Sequence, residues 1–115
     1  MNIKKFFSFE GRINRAKYFF TLLIIQLLWL PIDAIPEYTD NTLILLLYGL
    51  LLVAAILLNI SVTVQRLHDI KRPGIHFLLL LIPFYNIYLY FVLLLKKGTR
   101  GSNLYGDDPL AVIYE

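Results

Sequence analysis

Arg66-Leu67-His68-Asp69, followed by Lys71 and Arg72, is the densest grouping of titratable side chains in the sequence. A histidine beside an aspartate suggests general-base chemistry, because an oriented imidazole titrates near neutrality. Neighbouring helical positions point about 100° apart, however, so the two side chains do not face each other. No serine or threonine stands out as a nucleophile. Asp69 is therefore expected to form an ion pair with Arg12, Arg15, Arg66 or Arg72, and the chain is expected not to be an enzyme; catalysis through His68 and Asp69 is the least favoured of three alternatives. The two histidines, His68 and His76, lie eight apart with no second carboxylate at ligand spacing, so neither a metal site nor a cofactor is expected. There is no cysteine, which removes thiolate chemistry. Phosphate-binding glycine loops and the serine elbow motif are absent as well.

Two further polar groupings stand out. Arg12 and Arg15, three residues apart, would share one face of a helix leading into the first apolar run, with Ser8 or Gly11 at an end of a short helix. Their expected role is to snorkel to lipid phosphates while the surrounding phenylalanines anchor in the interface; the sharper alternative is a preformed site for an anion. Asn59, Thr63 and Arg66 follow i, i+4, i+7 spacing and form a polar strip. In a bilayer such a strip faces protein or water, so Gln26, Asn59, Thr63 and Asn86 are expected to make contacts between helices. A conduction path through a small oligomeric transporter or channel is the alternative.

The elements that must position these groups are long apolar runs. The chain has 115 residues, 58% of them hydrophobic and 17% charged, against roughly 45–50% and 25% for soluble globular domains. The excess is blocked into three segments, residues 18–35, 43–64 and 75–95, and a bilayer crossing takes about 20 residues. One integral membrane domain is expected: an all-α membrane protein, a small helical bundle of three hydrophobic segments with a turn-rich polar tail at 96–115. The first run is too long, and lacks the small-residue site, for a cleaved signal peptide, so a signal anchor is expected. Pro31 and Asp33 belong at its far interface. Between the first two runs, Asp33, Glu37 and Asp40 occur with no lysine or arginine. That loop is expected outside, with the amino terminus cytoplasmic. The net charge of +3 flanks the runs instead of forming a stripe, so no nucleic acid partner is expected.

The third run carries Pro83 and Asn86 near its centre. Pro83 removes one intrahelical donor and clashes with the preceding turn, which kinks the segment at least. One kinked span would leave Lys4, Lys5, Arg12, Arg15, Lys17, Arg66, Lys71 and Arg72 inside and Lys96, Lys97 and Arg100 outside, eight against three. A re-entrant hairpin would put all eleven inside, yet it needs cover for irregular backbone at membrane depth. The single kinked span is preferred on that ground.

Gly11-Arg12 with Arg15 and Tyr18, then Arg66-Leu67-His68-Asp69, then Gly98-x-x-Gly101-x-Asn103-x-Tyr105-Gly106-x-Asp108-Pro109 occur in this order around three apolar runs. Together they resemble the domain of unknown function 805 family of small bacterial inner-membrane proteins, over nearly the whole chain. Gln65 departs from a second arginine often found there, and Ile75-His76-Phe77 replaces a tryptophan-rich stretch. The resemblance implies a bacterial inner-membrane location and transfers no catalytic residue. It also favours the hairpin, because Arg12, Arg15 and Arg66 can meet Asp69 and Asp108 only if the tail shares their side. Gly11, Gly98, Gly101 and Gly106 are expected to form turns. The expected function is that of a non-enzymatic interaction or regulatory protein. Arg12, Arg15, Arg66, His68, Asp69 and Asp108 would contact anionic lipid headgroups or a partner, either a second copy or another membrane protein.

Overall fold

Asn14 and Asn41 start the two long helices. Each adopts an extended backbone, and its side-chain oxygen accepts from amides in the first turn, Lys17 N–H at 2.8 Å for Asn14 and Leu43 N–H at 3.0 Å for Asn41, supplying partners that a helix start otherwise lacks. The computed structural model describes residues 9–110, so Lys4, Lys5 and Ser8 lie outside the described residues. Helix α1 is Arg15–Asp33, α2 is the single turn Ile35–Tyr38, and α3 is Thr42–Asp69. A 3-10 helix, Gly74–Leu81, and α4, Tyr85–Leu95, complete the described elements. These residues contain no strand, only an isolated bridge between Asn103 and Gly106.

Helices α1, continued by α2, and α3 are long and apolar enough to cross a membrane. At 1.5 Å per residue, the 19 residues of α1 extend about 28 Å and the 28 of α3 about 42 Å, against a hydrocarbon core of about 30 Å. A soluble core helix would bury its apolar residues. Here they are exposed: Leu46, Leu50, Val53 and Ile56 of α3 and Ile24, Leu27 and Leu28 of α1 all face outward. Burial is concentrated at the far end of α3, where every residue from Ser61 to Asp69 is buried. Ile13, Tyr18, Val62, Leu67, Ile70, Leu89 and Leu93 form the apolar cluster of that core. Because α1 contributes Tyr18 to it, α1 is a structural member of the bundle. Its Pro31 sits inside the last turns, and Asp33 accepts from the Tyr48 hydroxyl at 3.3 Å.

The third apolar segment turns back on itself; it does not run straight on as the preferred single span does. Gly74 follows shortly after Asp69, and at the other end of the segment the Leu93 carbonyl accepts from Arg66 Nε at 2.6 Å. Both ends therefore lie at the same end of α3. The reversal is local: Pro83 cannot donate, Phe84 adopts a positive φ of 67°, and Tyr85 N–H bonds to the Pro83 carbonyl at 2.8 Å. The outward arm has eight residues and the return arm eleven. At about 2.0 and 1.5 Å per residue the two arms match, near 16 Å each.

Candidate functional site

The carboxyl ends of α3 and α4 and the amino-terminal approach to α1 meet at one place, and Asp69 lies at its centre. A helix ends with carbonyls that have no intrahelical partner and a partial negative charge. Arginines supply what is missing. Arg66 donates through Nε to the Leu93 carbonyl, through Nη1 to Asp69 Oδ2 at 2.7 Å, and through Nη2 to the Lys96 carbonyl. Arg15 reaches the Leu95 carbonyl at 2.7 Å.

Arg12 approaches Asp69 from the other side. Its Nε donates to Oδ1 at 3.1 Å and its Nη2 stands 3.0 Å from the same oxygen. The remaining donors take carbonyls of the tail: Thr99 at 2.5 Å, Gly101 at 2.7 Å and Gly106 at 3.1 Å. Arg12 and Arg15 do not share a helical face as expected. Gly11 has φ +88° and Asn14 is extended, so α1 begins only at Arg15 and Arg12 lies on the irregular segment that leads into it. That backbone path lets Arg12 point into the cluster.

The tail packs on this core as a compact loop. Thr99 N–H donates to the Asp69 carbonyl at 2.6 Å, and Asn103 Nδ2 donates to the His68 carbonyl at 2.9 Å. Gly98 lies so close to the Asp69 carboxylate that an added Cβ would overlap it. Gly101 and Gly106 both have positive φ, as their expected turns require. Asp108 does not pair with an arginine directly. It accepts from the amides of Gly101 at 2.8 Å and Leu110 at 2.9 Å, and these bonds hold its carboxyl below the usual range.

His68 does not engage Asp69. Its Nδ1 lies 3.0 Å from the Gly11 carbonyl, which only accepts, so Nδ1 carries the proton. The ring stacks on Tyr105, centroids 4.0 Å apart and nearly parallel. Both Asp69 oxygens are bonded to guanidinium groups, and the histidine is bonded elsewhere. Eight polar or charged residues are buried among the described residues: Arg12, Ser61, Thr63, Gln65, Arg66, His68, Asp69 and Asp108. Burial of such charges is tolerated only with opposite charge and a full complement of hydrogen bonds, and both are present here.

The four polar residues expected between helices divide. Thr63 makes an interhelical contact, its hydroxyl 3.2 Å from that of Tyr18. Asn59 bonds instead to the Ala55 carbonyl of its own helix at 2.9 Å. Gln26 shares a cleft with Asn59 and Thr63, whereas Asn86 sits at the start of α4, its amide bonded to the Ile82 carbonyl at 3.0 Å. Sequence reasoning missed the acceptor role of the Leu93 and Lys96 carbonyls and the packing of Gly98. It also missed the ring of Tyr105, which belongs to the tail motif and gave a usable signal.

This combination of apolar helices, a buried arginine–aspartate cluster and a docked glycine-rich tail carries the three motifs of one family. The model of that family, "Protein of unknown function (DUF805)", matches residues 6–107, and the chain belongs to it. Among its relatives is inner membrane protein YhaI of Escherichia coli (strain K12), 34% identical over 109 residues, covering 93% of this chain and 90% of that protein. Inner membrane protein YhaH of the same strain is 27% identical over 113 residues, covering 93% and 91%. No solved structure matches.

Proposed function

We propose that this chain is a non-enzymatic integral protein of a bacterial inner membrane, with a cytoplasmic end that binds anionic lipid headgroups through a rim of lysines. The observation that carries this reading is the division of the cations into two sets. Arg12 and Arg66 are buried and saturated by Asp69 and backbone carbonyls. Lys71, Lys96 and Lys97 are exposed around them. The inner set shapes the surface and the outer set meets the membrane.

Orientation is part of the same proposal. The return of the third segment gathers all nine lysines and arginines of residues 9–110 at the Asp69 end, and leaves Asp33, Glu37 and Asp40 at the opposite end. An excess of cations marks the cytoplasmic side, which supports an amino terminus on that side. The apolar hairpin is then re-entrant. Exposed Leu81, Ile82 and Phe84 at its tip suit lipid, and the bonds from Tyr85 and Asn86 to the Pro83 and Ile82 carbonyls lessen the number of open backbone groups there. The inner-membrane relatives support the location.

The test is retention of phosphatidylglycerol over phosphatidylcholine by the purified full chain, read by native mass spectrometry. Each lysine near an anionic surface contributes about 1 kcal/mol. Lys71→Gln with Lys96→Gln and Lys97→Gln should therefore reduce the preference about a hundredfold at low salt, with the fold intact. A triple variant that keeps the full preference would refute the proposal.

A further inference from the structure

A second feature of the molecule lies away from the charged cluster. A cleft of about 540 Å³ opens between α1, α3, the 3-10 helix and α4, within the size range of small-molecule sites. It starts at the Tyr18–Thr63 pair. Asn59 lies one turn from Thr63, and Gln26 two turns beyond Tyr18, about 6 and 12 Å further along their helices. The cleft thus runs from the polar cluster into the apolar part of the bundle.

Its lining is unusual in two ways. No lysine, arginine, histidine, aspartate or glutamate contributes to it, so it offers no counter-charge to a phosphate or carboxylate. It does hold amides. Gln26 has no hydrogen-bond partner among the described residues, and Asn59 uses only Nδ2, leaving Oδ1 available. An amide facing hydrocarbon costs free energy until it is paired. A plain acyl chain would not pair either amide, and neither would an apolar helix. Phe19, Phe77 and Tyr90 add aromatic walls around these groups, surfaces on which a flat ring packs.

We infer that this cleft is a binding site for an uncharged lipophilic ring compound bearing carbonyl or hydroxyl oxygens on an alkyl or isoprenoid tail, the quinone class. Gln26 donates to a ring oxygen of either redox form, and Asn59 Oδ1 accepts from a ring hydroxyl when the ring is in its reduced, quinol form. The tail follows the apolar wall of Leu22, Leu23 and Leu81 toward the lipid. Only binding is assigned; no electron transfer is implied.

The experiment uses the purified full chain at fixed detergent concentration, with decylubiquinone and decylbenzene as probes that share a ring and a ten-carbon tail but differ in ring oxygens. Decylubiquinone should raise the melting temperature saturably, and decylbenzene should not. Gln26→Leu with Asn59→Leu places apolar side chains where lipid is the solvent, so it should fold, and it should bind decylubiquinone at least tenfold more weakly. Leu23→Trp, at a position on the cleft wall and outside the buried core, should block binding by filling the space. Equal stabilisation by both probes would overturn the assignment, leaving a slot for apolar tails. So would undiminished affinity in the amide double variant or, should that variant not fold, in Leu23→Trp. A dimer in the mass spectrum that disappears in Leu23→Trp would overturn it in favour of a second copy of the chain.

Discussion

Within α3, residues 42–60 and 61–69 form one uninterrupted helix that meets two different environments. The first stretch is all but devoid of polar groups, and its leucines face outward. The second contains Ser61, Thr63, Gln65, Arg66, His68 and Asp69, all buried. A water-soluble helix would have the pattern reversed. In lipid the driving force for burying leucine against leucine is absent, so apolar side chains remain at the surface. Polar ones are collected where they can satisfy each other. The 19 residues of the first stretch extend about 28 Å, close to the hydrocarbon thickness, so the change of character comes after about one bilayer core of helix.

Three variants bear on this contrast. Asp69→Asn should have the largest effect, because it leaves two buried guanidinium groups without their counter-charge. Removing one partner of a buried ion pair costs about 3–5 kcal/mol, and urea unfolding of the tail-docked form in mild detergent measures it. Equal stability in Asp69→Asn would mean that the carbonyls alone suffice to hold Arg12 and Arg66. Next comes a matched truncation, Leu67→Ala against Leu50→Ala. Leu67 is 0% exposed and Leu50 68%, so the first should cost about 2–5 kcal/mol by leaving a cavity and the second less than about 0.5 kcal/mol. Similar losses at both positions would remove the distinction between the two halves of α3.

The smallest effect concerns pH at Asp108. Its carboxyl is held low by the amides of Gly101 and Leu110, so the anchoring it gives is fully present above the ordinary aspartate value, near 3.9, and fades as pH falls through the lower value of the folded state. The Gly101 amide signal in NMR should shift with an acid midpoint below that ordinary value. Asp108→Asn should abolish the transition. A midpoint at the unperturbed value would show that the bond to Gly101 contributes nothing.

The helices themselves were legible in the sequence. The apolar runs at 18–35 and 43–64 anticipate α1 and α3 within a few residues, except that α3 continues through Asp69. The polar strip of Asn59, Thr63 and Arg66 belongs to that same helix, but its members go to different places: Arg66 to the cluster, Thr63 to Tyr18, Asn59 to its own backbone. Periodicity identifies a shared face and says nothing about which partner arrives there. Gly98 is a similar case, since a glycine among turn formers reads as a turn, while in the structure it is required by the closeness of a carboxylate some thirty residues earlier.

The direction of the third segment was the main point on which the sequence left two readings open. Charge counting allowed both a kinked span and a hairpin, and the missing cover for irregular backbone favoured the span. The structure returns the segment with matched arms and a few local bonds at an exposed turn, and arginines from two other elements take the carbonyls that α4 leaves open.

By itself the sequence determined that the chain is an all-helical membrane protein, because runs of leucine and isoleucine without charge are stable only in lipid. It also determined which side chains are exceptional, since few polar residues interrupt those runs. Only the tertiary structure decided what they do. A guanidinium group binds whichever acceptors are brought within about 3 Å of it, and apart from Asp69 those acceptors are backbone carbonyls at helix ends and in the tail, which every residue carries and no sequence pattern distinguishes.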